Sequence, residues 1–157
     1  MEENLKAEIR AIRIVHIGLI AGAVFFILIT LFMNKTVGAF IGENDIDLDK
    51  RSLILLVVNI LSLVSIVAGI MMFKKKVNTI SENQPLSEKL VIFREAMIVR
   101  AATIEAPAFL FTVGYMLFGC PTFLFEAVVS CLLLIYFYPF NFRLTKELKH
   151  DFTDLDG

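Results

Sequence analysis

Tryptophan is absent, and cysteine and histidine each occur only twice in 157 residues. Only His16 lies in an apolar stretch, so bis-histidine haem ligation is excluded, and no Cys and His cluster has metal-site spacing. Cys120 and Cys131 sit on what reads as one rod, about 16 Å apart along its axis, too far to bridge. No Ser-centred elbow, Gly-rich phosphate loop or HExxH is present, so the expectation is a chain that is not an enzyme and carries no cofactor or metal. The net charge of -1 points to no nucleic-acid partner.

The most informative shortage is of charge. Residues 14–33, 53–73, 101–119 and 122–137 contain no Lys or Arg, and at 1.5 Å per residue each run approaches the about 30 Å of a hydrocarbon core. With 57% hydrophobic residues and a mean hydropathy of +0.76, the chain is too apolar for an ordinary soluble domain. The expected fold is all-α: an integral membrane four-helix bundle forming one domain over residues 1–157. Its spans are placed at about 12–33, 52–73, 100–119 and 121–138. Glu2, Glu3, Lys6, Glu8, Arg10 and Arg13 precede a first run too long for a signal core, so that run reads as an anchor retained in the product.

Twelve of the fifteen Lys and Arg fall in the amino-terminal tail, the loop from Lys74 to Arg100 and the carboxy tail. By the positive-inside rule both termini are cytoplasmic. Asn34 and Lys35 close the first run, residues 42–49 read as an acidic loop, and Asp49 or Ser52 is expected to cap the second helix. Asn83 is expected to cap a third helix that Pro85 opens near Leu86, with residues 86–99 projecting into the cytoplasm. Pro139 ends the fourth. Phe142, Leu144, Leu148 and Phe152 suggest an amphipathic tail over 140–152 lying along the inner surface, with 151–157 loose. Laying 97–110 on 13–26 matches Ile98, Val99, Ile104 and Phe109 to Ile14, Val15, Ile20 and Phe25. A duplicated helical hairpin is one reading of this, and chance within a restricted alphabet is the other.

Ionisable groups in a span cost roughly 2.5 to 3.5 kcal/mol at mid-membrane, so each needs a partner or a role. Arg13 and His16 of the first helix lie within about two turns of the depth of Arg100 and Glu105 of the third. They form a candidate cluster in which Glu105 pairs with Arg13 or His16. It reads as an interhelical lock, as a proton-titrating carboxylate poised by His16, or as snorkelling to the headgroups. Asn59 and Glu126 form a candidate outer-leaflet pair if helices 2 and 4 touch. Gly18 and Gly22 make a GxxxG step at the depth of Ala102 and Ala106, predicting a tight contact of helices 1 and 3 within one chain or between two. Pro107 removes the amide that would bond to Thr103, leaving either a hinge or a tolerated kink.

The stretch 100–109, with Arg100, Ala102, Glu105, Ala106, Ala108 and Phe109, resembles the R-x-A-x-x-E-G-x-A-x-F signature of a family of small four-span bacterial membrane proteins, with Phe109 one place early. Ala106 stands where that family usually has Gly. The similarity extends loosely from Arg13 through Pro139 and implies a fold and a multi-pass place in the bacterial inner membrane, but no activity. A vaguer likeness is to the proteolipid subunits of rotary ATPases. Their ion-binding role is not carried over, because helix 1 here lacks a long Gly ladder and Glu105 lies near the cytoplasmic end. The expected function is non-enzymatic: an accessory, assembly or self-associating subunit whose partners are the lipid bilayer, further copies or other membrane subunits. The alternative is a small proton- or ion-coupled transporter using Glu105 and His16.

Overall fold

The computed structural model describes residues 2–42, 47–81 and 83–148, with side chains from residue 6 onward. Part of the expected acidic loop (43–46), Phe152 and the loose end 151–157 lie outside the described residues. Among those described there are five helices and no strand: α1 (Glu2–Thr36), α2 (Leu48–Val77), α3 (Leu86–Phe118), α4 (Pro121–Tyr136) and α5 (Asn141–Leu148).

Three of these, α1, α2 and α3, are long and apolar enough to cross a membrane. At 30 to 35 residues they run about 45 to 52 Å, well past the hydrocarbon. The runs therefore mark only the greasy middle of each rod. α1 continues back to Glu2 because no Pro or Gly interrupts it there. α2 continues through Lys74, Lys75 and Lys76, cations placed at the negative end. α4 has only 16 residues, about 24 Å, and meets α5 at a bend of 65°. It reaches spanning length only together with α5.

Two capping expectations fail. The residue before α2 is Asp47, which makes no side-chain cap bond, and Asp49 and Ser52 lie inside the helix. The residue before α3 is Pro85, not Asn83, so no side chain caps that end either. Instead the Gln84 side chain accepts a hydrogen bond from the Ser81 amide (2.9 Å) and folds the turn. Helix ends that reach water need no protein cap, because water satisfies the free amides.

α3 is the hub, since α1, α2, α4 and α5 all pack against it. His16 of α1 reaches Met97 and Asn34 reaches Tyr115, so α1 and α3 run the same way. The α2 seam is built around Pro107. With no amide at 107, the Thr103 carbonyl is free, and the Ser65 hydroxyl of α2 donates to it at 2.9 Å. One turn along, Gly69 lets the Thr103 side chain lie against the α2 backbone. Gly114 of α3 gives the same clearance to the Phe123 ring of α4.

The predicted α1–α3 small-residue seam is not where the two helices meet. Gly18 faces open space, a Cβ on Gly22 would come no nearer than 3.9 Å to the Glu105 carboxylate, and Ala102 and Ala106 are exposed. α1 meets α3 on a neighbouring face, through residues including Ile12, Ala23 and Ile27 and the Phe26–Phe109 ring pair. The amphipathic tail differs in a similar way. Leu144 and Leu148 are fully buried in the core with Ile12, Phe93 and Leu134, whereas Phe142 is 67% exposed. The apolar face of α5 is thus spent on the protein itself rather than on the membrane surface.

A methyl group at position 69 overlaps the Thr103 side chain, so Gly69→Ala is expected to cost about 1 to 3 kcal/mol. Thermal unfolding in detergent should show the loss and partial rescue by Thr103→Ala, while Gly18→Ala leaves the midpoint unchanged.

Candidate functional site

The polar side chains gather where α1 begins, α2 and α4 end, and α5 folds back. The geometry starts from the last turn of α4. There the Phe137 amide bonds to the Leu133 carbonyl and the Tyr138 amide to that of Ile135, which passes over Leu134. Pro139 has no amide to offer. His16, fully buried, fills the gap: its Nε2 lies 2.9 Å from the Leu134 oxygen. Because a carbonyl only accepts, Nε2 carries the proton. Nδ1 then sits 3.3 Å from the Met97 sulfur, and the ring meets Tyr138 edge-on at 5.7 Å.

Arg13, one turn earlier, donates to the Asn141 side-chain oxygen at the start of α5. Arg100, only 3% exposed, lies between two rings, its guanidinium carbon 3.6 Å from the Phe73 centroid and 4.7 Å from that of Phe137. Each desolvated contact of this kind stabilises by up to about 2 kcal/mol. Arg100 also donates to the Phe137 carbonyl (3.4 Å) and pairs with Glu147 of α5 at 3.9 Å. One guanidinium thereby joins α2, α3, α5 and the end of α4. The Nε atoms of Arg13 and Arg100 and one Glu147 oxygen are buried without a hydrogen-bond partner.

Arg13, His16 and Arg100 are therefore gathered at one end of the molecule, but Glu105 is not among their partners. It makes no hydrogen bond or ion pair with any described residue. It lies about 7.5 Å further along α3 than Arg100, half-buried beside Gly22 on the α1–α3 groove. Asn59 and Glu126 are not joined either. The Asn59 amide donates to Leu55 of its own helix (3.0 Å), because α2 packs on α3 rather than on α4. Among the described residues no three His, Cys, Asp or Glu side chains are grouped to hold a metal ion.

Glu147, Asn141, Phe73 and Phe137 are the site residues that sequence reasoning missed. Glu147 carried a usable signal: it lies three residues after Leu144, an acid on the apolar side of an amphipathic helix. In comparisons with family models, curated proteins and solved structures, the chain matches none.

His16→Leu leaves the Leu134 carbonyl without a donor and should lower stability by about 1 to 3 kcal/mol in thermal unfolding. His16→Gln, which can still donate, should lose less.

Proposed function

We propose that this chain is a non-enzymatic integral membrane protein that acts by associating with other membrane helices, as an accessory, assembly or self-associating subunit. In this reading α4 and its bent continuation make a fourth crossing, and both termini lie on the cytoplasmic side, where the basic segments collect. The resemblance over residues 100–109 fits a bacterial inner membrane.

The observation that carries the reading is the outward groove between α1 and α3. Gly18, Gly22, Ala102 and Ala106 are exposed, and Glu105 sits among them without a hydrogen-bond or ion-pair partner among the described residues. Helices approach closely in lipid where residues are small, and a carboxyl in that setting gains from any hydrogen-bonding neighbour. In a lone molecule both features face acyl chains, and a further helix in the groove supplies what each lacks. Transport coupled to Glu105 and His16 draws less support, because His16 is committed to the Leu134 carbonyl and Glu105 stands apart from it.

Cysteine introduced at Gly18 or Ala106, in a background with Cys120 and Cys131 replaced, should crosslink the chain to itself or to another membrane protein in native membranes. Gly22→Leu, which fills the groove without touching the core, should reduce that product about tenfold while the unfolding midpoint holds. A strictly monomeric protein that captures nothing sinks the reading. Glu105→Gln should change the crosslinked fraction and leave proton flux in reconstituted vesicles at the empty-vesicle level. Flux that the wild type shows and this variant loses would favour transport instead.

A further inference from the structure

The last turn of α2 and α5 flank an open cavity of about 260 Å3, lined in part by Phe73, Lys74, Asn78, Lys146 and Glu147. Its charges are unbalanced. Glu147 is the one acid in the lining, and Arg100 pairs with it at 3.9 Å. Neither Lys74 nor Lys146 makes a salt bridge among the described residues, while Lys76 beside them is taken by Glu95 of α3. Two ammonium groups therefore share this lining with a single carboxylate, which Arg100 already pairs.

The cavity also has a definite level. Just before Lys74 on α2, Met71 and Met72 are exposed, the end of the long lipid-compatible surface of that helix. At the same end of the molecule Tyr136, Phe140 and Phe142 are exposed, and the Arg143 guanidinium lies 4.6 Å from the Tyr136 ring centroid. Apolar surface giving way to lysines, with aromatic rings alongside, marks the boundary where headgroups begin. Basic pockets between helices at that level are suited to anionic headgroups.

We propose that this cavity binds the phosphate of an anionic phospholipid, held by Lys74 and Lys146 with the Asn78 amide as a further donor, its acyl chains following the exposed face of α2. The shared chemistry is a phosphate monoanion or diester. The apolar strip ending at Met72 favours the lipid over a free ion. The inference does not depend on self-association.

The test uses the full chain in mild detergent, titrated separately with phosphatidylglycerol, phosphatidylcholine and inorganic phosphate. Bound lipid is read by native mass spectrometry and stability by thermal midpoint. Phosphatidylglycerol should be retained and raise the midpoint, and the other two should do neither. Lys74→Ala with Lys146→Ala should weaken retention about 30-fold, the effect of two lysines near an anionic surface. Lys50→Ala, outside the cavity, should match the wild type. If the double variant fails to fold, Lys74→Gln and Lys146→Gln singly should each cost about fivefold. Equal retention of the two lipids, or undiminished retention by the lysine variants, overturns the site. A midpoint raised as much by inorganic phosphate overturns its assignment to a lipid.

Discussion

A helix that runs through lipid must satisfy its own backbone, and wherever this chain breaks that rule, a neighbouring element answers. Pro107 frees the Thr103 carbonyl, and Ser65 donates to it. The tightened end of α4 frees that of Leu134, and His16 takes it. Arg100 donates to Phe137, and at the other end of α3 Asn34 adds a second donor to the Tyr115 carbonyl, which the Gly119 amide already meets. Beyond Tyr115 the carbonyls of Met116 and Leu117 accept the amides of Phe40 and Ile41, so the α1–α2 connection closes over the α3 terminus. Apolar packing alone draws helices together in lipid without fixing which faces meet. These freed carbonyls, being few and directional, supply the register.

Polar atoms and bulk divide along the molecule. Near the basic segments, Arg13, His16, Arg100 and Glu147 bind α5 and the end of α4 to the long helices. At the opposite end the contacts are dominated by Phe111, Phe118 and Phe123, with Gly114 making the space the Phe123 ring needs. Gly119 ends α3 with φ +67°, a conformation open to Gly at little cost, and its amide closes the helix on Tyr115. α2 is the least embedded of the long helices, burying only Ser62, Gly69 and Phe73. Its continuous apolar character, which in a soluble fold would signal a core helix, here signals contact with lipid.

The positions of the greasy segments were legible because hydropathy reports on lipid directly. Their lengths were not, since charged residues such as Lys6 and Lys74 extend a helix into water as readily as they end it. The common depth of Arg13, His16 and Arg100 could be read from residue counting. The identity of their partners could not, because rotation of a helix about its axis decides which face meets which neighbour. Gly18 and Gly22 look like a packing step whether they face α3 or lipid, and the sequence holds both options equally. Glu105 attracted attention as an acid inside a span at the depth of the basic groups, whereas Glu147, some forty residues later, is brought to Arg100 by a bend that Pro139 makes inevitable but does not aim.

The way α1 and α2 both lean on α3 has a bearing on how the chain is made. Helices leave the ribosome in order, so the first pair reaches the bilayer before the surface on which either one rests. Until residue 118 or so has been threaded, the open grooves and the lone Ser65 hydroxyl have only lipid and insertion machinery for company. Maturation of this protein is accordingly a late event, triggered by the arrival of its third segment and sealed when the final short helix swings beneath it.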